Sequence, residues 1–237
     1  SLHAEGRRAK QAIDEAREAL STRLGCLFGE VLFTSSGTEA ANMAILGSAL
    51  EALKTGNPRR KVLLGSAEHH CVLHTIPLLQ TLGFEVELIP VDREGRVDPS
   101  SLRSLLSSRV LLVSLMHANN ELGTIQPIAD CAPIIREHGA LFHTDAVQTF
   151  GTMSVTVDEL GVDMMSVSAH KVYGPKGVGA LYLRSGVKIT ALSVGGGQER
   201  DVRAGTENVA GIAGFGEAVR RIVSPSSVAR DSFYEHL

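Results

Sequence analysis

The chain has 237 residues, enough for one large α/β domain or two small ones. Its 23 Lys and Arg against 26 Asp and Glu leave a formal charge of −3, and 43% of the residues are hydrophobic, so both the basic excess of a nucleic-acid binder and the composition of a disordered chain are excluded. Apolar runs such as residues 110–113 fall far short of the ~20 residues that cross a bilayer, and no membrane partner is expected. Three scattered cysteines, Cys26, Cys71 and Cys131, form no CxxC pair and argue for a reducing compartment, with the cytoplasm as the expected place. A start at Ser1 and a stop at Leu237 raise the expectation of a piece of a longer protein.

In chain order, Ala9, Ile13, Ala16 and Leu20 share one face of an opening amphipathic helix that should end near Gly25. β-rich runs then recur at 31–34, 62–66, 85–91, 110–116, 140–144, 163–168 and 179–184, alternating with helical patterns. This alternation predicts an α/β fold whose sheet is buried on both faces. Three helix faces are expected to pack on it: Met43, Leu46, Leu50 and Leu53; Ile128, Cys131, Ala132 and Ile135; and Val209, Ile212, Phe215, Val219 and Ile222. Neither a GxGxxG turn after a strand nor a GxxxxGK[ST] loop occurs, so dinucleotide and P-loop sites have little support.

Polar groups collect at the carboxyl ends of the predicted strands, where open α/β sheets bind ligands. In residues 31–39, Ser36 and Glu39 have capping-box spacing, which starts a helix at Gly37 and turns the amides of Gly37 and Thr38 outward; the arrangement suits a phosphate or simply caps a helix. Asp145 and Gln148 follow the 140–144 run, where the aspartate is either a helix N-cap or a carboxylate for a protonated ring nitrogen. Ser168, His170 and Lys171 follow the 163–168 run, and a lysine there is either a solvated surface group or an amine nucleophile. Glu68, His69 and His70, and later His117 to Glu121, add further polar ends. A zinc set from His69, His70, Cys71 and His74 is disfavoured, because the spacing matches no known ligand pattern and Pro77 argues against a regular helix aligning His70 with His74. An imidazole, His69, suits stacking on an aromatic ligand better. Together these groups match the needs of pyridoxal phosphate: a helix N-terminus for the phosphate, a lysine for the aldehyde and a carboxylate for the pyridine nitrogen.

Six stretches carry a family resemblance: TSSGTEAAN, AEHHCVLHT, HANNELGTIQP, HTDAVQTFG, SAHKVYGPKGVGALYLR and GGGQERDVRAGTENVAGIAGFG. From Gly6 to about Gly216 the chain resembles the NifS-like cysteine desulfurases, class V aminotransferases of pyridoxal-phosphate fold-type I. The resemblance implies a large cofactor domain over residues 1–215, with a mainly parallel seven-stranded sheet and helices on both faces, and the start of a smaller C-terminal domain over 216–237. It implies that Lys171 bonds the cofactor and moves protons, Asp145 pairs with the pyridine nitrogen and Gln148 bonds the ring phenolate. By the same resemblance His69 stacks on the ring, and Asn120 lies near the ring and the substrate carboxylate. Gly37, Thr38, Ser168 and His170 would hold the phosphate. Thr206 would reach the phosphate of a neighbouring subunit, implying a homodimer with shared sites, while Arg203 is left without a role.

The activity so implied removes sulfur from L-cysteine, leaves L-alanine and carries the sulfur as a persulfide to an acceptor or scaffold protein for iron–sulfur cluster or thiocofactor assembly. The family's persulfide thiol belongs to a loop well after the lysine, and none of Cys26, Cys71 and Cys131 matches it by position. Two alternatives follow: a selenocysteine lyase with the same cofactor site, and a catalytically silent cofactor-binding fragment.

Overall fold

The computed structural model describes residues 3–222. The opening amphipathic stretch forms α1 (Ala4–Leu24), which buries Ile13, Ala16 and Leu20 and stops at Gly25, whose φ of 68° is the left-handed cap glycine adopts readily. There follow β1 (Val31–Thr34), α2 (Gly37–Lys54), β2 (Lys61–Gly65), α3 (His70–Leu73), α4 (Ile76–Thr81), β3 (Glu85–Ile89), α5 (Pro99–Leu105), β4 (Val110–Ser114) and α6 (Ile128–Glu137). The chain continues through β5 (Leu141–Asp145), α7 (Val157–Leu160), β6 (Met164–Ser168), β7 (Gly179–Leu183) and α8 (Val209–Arg220). All seven predicted strand runs are strands: β1 has the expected bounds, β2 and β5 are shifted by one residue, and the other four are one or two residues shorter than expected.

The strands make one sheet in the order β1-β7-β6-β5-β4-β2-β3. β3, β2, β4, β5 and β6 are parallel, and β7 runs antiparallel to both β6 and β1. The carboxyl ends of β1, β2, β4, β5 and β6 therefore share one edge. The strand order reverses between β2 and β4, so the loops leaving these neighbours diverge and open a crevice.

Along β1 and β2 successive buried side chains face opposite sides of the sheet. Val31, Phe33 and Leu63 face one apolar cluster, packed by α1, α5, α6 and α8, while Leu32, Val62 and Leu64 face the other, packed by α2. This is the two-sided burial expected of a mainly parallel sheet. Two helix expectations need correction. α2 is buried more widely than its predicted face, taking in Ala40, Ala44, Ile45 and Ala49, whereas Leu53 at its end is 37% exposed. α8 packs chiefly against α1, while its Ile212, Phe215 and Val219 share the apolar cluster of Val31 and Phe33 on the sheet. A Cβ on Gly216 would come within 2.6 Å of the Ala16 Cα, so glycine sets the close approach to α1. The expected domain border after residue 215 falls inside α8, and residues 223–237 of the expected second segment lie outside the described residues.

Beneath the functional edge, His143 on β5 links Ser114 on β4 and Ser166 on β6 through both ring nitrogens, each at 2.9 Å. Burial pushes this imidazole down to about 3, which keeps it neutral and able to donate on one side and accept on the other.

Candidate active site

A cavity of about 340 Å³ opens at the carboxyl edge. Its wall includes Gly37, Thr38, His69, Asn120, Asp145, Gln148, Ser168, His170 and Lys171, nine of the ten positions expected from the sequence. The tenth, Thr206, lines a separate small cavity with Arg203, Thr34 and Ser35.

At one end lies the start of α2. The Ser36 hydroxyl accepts from the Glu39 amide at 3.1 Å, and the first helical bond runs from the Ala40 amide to the Ser36 carbonyl, so the Gly37 and Thr38 amides precede the ladder. Glu39 does not close the expected box on its own cap. Its carboxylate accepts from the Ser35 amide and, at 3.0 Å, from Arg203 Nε. Although burial favours the neutral acid, these bonds from Arg203 and Ser35 hold Glu39 below the usual glutamate range. Arg203 thus braces the turn before α2.

The turn is tight on every side. A Cβ on Gly37 would meet Val147 Cγ2 at 2.6 Å, and one on Gly179 of β7 would lie 2.6 Å from the Ser36 carbonyl carbon and 2.8 Å from the Gly37 nitrogen. The Ser168 hydroxyl bonds His170 Nδ1 at 2.8 Å. Burial, followed by the positive charges of Lys171 and Lys176, pulls the His170 imidazole down. A helix N-terminus with nearby lysines favours an anion here.

Opposite, Asp145 is 3% exposed. Its Oδ1 accepts from the Val147 amide at 2.9 Å, and the Cys71 thiol donates to Oδ2 at 3.7 Å. Burial raises its carboxyl, opposed by the Val147 bond, His69 and Cys71. The next carboxyl, Glu68, is buried too and is pushed up to about 8, first by desolvation and then by Asp145. His69 sits at the N-cap of α3, its Nδ1 accepting from the Cys71 amide at 3.1 Å. Pro77 falls in the first turn of α4, where its missing N–H costs nothing, and the His70 and His74 rings stack at 4.9 Å; the expected misalignment does not occur. Donor atoms of His69, Cys71 and Asp145 lie within 4.8 Å of one another, a nitrogen, sulfur and oxygen set. Lys171 follows β6 in a short 3-10 turn, exposed, and reaches the cavity rim.

Strand-end reading passes over Glu68 as a site residue, Cys71 as a donor to Asp145, and Gly179. A glutamate beside His69 at a strand end is the one available signal for the first; the other two depend on contacts across 74 residues or more. Chemically, the cavity offers an anion cradle at one end, a buried carboxylate at the other and a primary amine at its rim. Among the described residues, no helix is long and apolar enough to cross a membrane.

Solved structures share this architecture. One described as "SspA in complex with cysteine" superposes with a TM-score of 0.91 at 37% identity, covering 100% of this chain and 68% of that one. A "NifS-like protein" gives 0.88 at 42% identity, covering 92% and 60%. Among curated proteins, "Cysteine desulfurase IscS" of Dictyoglomus turgidum is 53% identical over 219 residues, covering 92% of this chain and 55% of that protein. "Cysteine desulfurase" of Bradyrhizobium diazoefficiens is 48% identical at similar coverage. The chain spans about half the length of these curated relatives. The profile described as "Aminotransferase class-V" matches residues 1–236, and the chain belongs to that family.

Proposed function

We propose that this chain is the cofactor-holding part of a pyridoxal-phosphate cysteine desulfurase, acting on L-cysteine to leave L-alanine and pass sulfur to an acceptor or scaffold protein for iron–sulfur cluster or thiocofactor assembly. The observation that carries the reading is the convergence on one cavity of an anion cradle, a buried carboxylate and a lysine amine. Gly37 leaves no room for a Cβ against Val147, so glycine keeps the start of α2 packed close to the segment that follows Asp145. Similarity to proteins named cysteine desulfurase, and to one described in complex with cysteine, supports the substrate.

When bound, pyridoxal phosphate supplies an aldehyde for amines and a ring that accepts electron density from the substrate α-carbon. The chain's residues do the rest. The Gly37 and Thr38 amides, Ser168 and His170 would hold the phosphate. Asp145 would accept from the protonated ring nitrogen, and its burial would strengthen that pairing. Gln148 would bond the ring oxygen, His69 would stack on the ring, Asn120 would orient the substrate carboxylate, and the Lys171 amine would carry protons to and from the α-carbon. Thr206, which opens on a different cavity from Lys171, serves the site of a second copy in a homodimer. The proposed cofactor domain, residues 1–215, leads into a smaller C-terminal domain, and the three free cysteines support a reducing, cytoplasmic setting.

Pyridoxal phosphate added to the protein should give a visible absorption band that Lys171→Ala removes; a folded protein without the band would overturn the assignment. Cysteine then tests the reaction by release of alanine, and selenocysteine in parallel separates a lyase from a desulfurase. A second reading, cofactor binding without sulfur release, is favoured by one observation: burial pushes all three thiols, Cys26, Cys71 and Cys131, up to about 12, so none is an activated nucleophile.

A further inference from the structure

At the reversal of strand order, β2 and β4 are paired only as far as Leu64 and Ser114, after which their loops separate. One loop carries His69 and the other Asn120, both walls of the cavity. Two hydrogen bonds cross the gap. The Met116 amide donates to Glu68 Oε1, and Asn119 Nδ2 donates to the Ala67 carbonyl at 2.9 Å. Asn119 Oδ1 in turn accepts from the Glu121 and Leu122 amides, both at 2.8 Å, which carries the link into the turn holding Asn120. Gly65 makes room for the carboxyl, since a Cβ there would lie 2.9 Å from Glu68 Oε1 and 3.1 Å from Leu115 Cδ2.

We infer that Glu68 is a positioning residue of this site: its carboxyl joins the loop carrying His69 to the segment carrying Asn120 and holds both walls of the cavity in register. The side chain is buried, and its Oε2 has no hydrogen-bond partner among the described residues. An ionised carboxylate with one oxygen unpartnered would be costly there, with the Asp145 carboxylate from β5 and the Cys71 thiol from α3 as its titratable neighbours. The neutral acid avoids that cost. It supplies the acceptor that the Met116 amide needs without placing a second negative charge beside Asp145. The role is therefore one of shape and hydrogen bonding, which a glutamine can fill and a shorter acid cannot.

The link to cofactor binding rests on the proposed function, whereas the link between loops does not, so two readouts are used on the full chain. In cofactor-free protein, Glu68→Ala should speed hydrogen exchange of the Met116, Glu121 and Leu122 amides about tenfold or more, while Glu68→Gln stays close to the parent. In titrations with pyridoxal phosphate, Glu68→Ala should weaken binding about tenfold, with rescue by Glu68→Gln. Should Glu68→Ala fail to fold, Glu68→Asp takes its place: it keeps the acid but is too short to reach the amide, and should resemble the loosened state. Unchanged exchange in both Glu68→Ala and Glu68→Asp overturns the inference, as does Glu68→Gln behaving like them. If the parent protein binds no pyridoxal phosphate, the proposed function fails, and the exchange rates still decide the role of Glu68.

Discussion

The Cys71 sulfur lies 3.7 Å from Asp145 Oδ2, with the thiol as donor, so the one cysteine lining the cavity is tied to the carboxylate that faces its interior. Burial, then the charges of Asp145 and Glu68, push this thiol up to about 12 from an ordinary 9.0. Thiolate is the reactive form, so its population at neutral pH is far below that of a free cysteine. The same holds for Cys26 and Cys131. In the native protein at pH 7.5, all three thiols should react with a disulfide reagent at least about tenfold more slowly than free cysteine, and rapidly after denaturation. A single fast thiol in the native state would contradict this environment.

Gly179 and Gly177 lie two residues apart and should respond differently to alanine. At Gly179 the new methyl meets backbone of Ser36 and Gly37 and the Val167 carbonyl within 2.8 Å, none of which can swing away. Gly179→Ala should cost about 1–3 kcal/mol in urea unfolding and should weaken binding of pyridoxal phosphate, because it displaces the turn before α2. Gly177 has a φ of 78° with nothing within 4 Å of its Cβ position. Gly177→Ala should cost about 1 kcal/mol through backbone strain and leave the cradle's affinity unchanged.

Arg17 on α1 and Glu199 form a two-pronged ion pair at 2.7 and 2.8 Å, with side chains only 12% and 2% exposed. Glu199 also accepts from the Phe33 amide at 2.9 Å, and it begins a run of three left-handed non-glycine residues, Glu199, Arg200 and Asp201. Such a backbone persists only where its surroundings over-determine it. Removing one partner strands a buried charge, so Arg17→Ala should lose about 3–5 kcal/mol in chemical denaturation. A paired replacement, Arg17→Met with Glu199→Leu, should recover part of that loss.

Glu68 gives the stability a pH dependence of known sign. Its folded value of about 8 lies above its ordinary 4.5, so between these values the native state holds a proton that the unfolded chain releases. Stability from this group is therefore present below about 4.5 and declines as pH rises toward 8. Glu68→Gln removes that slope, and its melting temperature relative to the parent should climb from pH 5 to pH 8. Asp145, raised in the same direction by burial, leaves a slope of the same sign in the variant.

Local chemistry along the chain was enough to locate the seven strands and most of the site. Apolar runs of four to five residues must be buried, and a helix or strand end exposes its polar residues whatever its neighbours are, so Gly37, Asp145, Ser168 and Lys171 could be placed at strand ends from sequence alone. Periodicity says which face of α8 is apolar but not what covers it, and the answer, α1, depends on the close approach of Gly216 to Ala16. The amino-acid sequence by itself thus determined the elements and the polar groups at their ends. Only the tertiary structure decided that β2 lies beside β4, that Cys71 donates to Asp145, that Arg17 meets Glu199 across 182 residues, and that Thr206 opens on a different cavity from Lys171. Repeating patterns are set by neighbours a few residues apart, whereas these contacts are set by strand order and side-chain packing between distant segments, which no short-range pattern encodes.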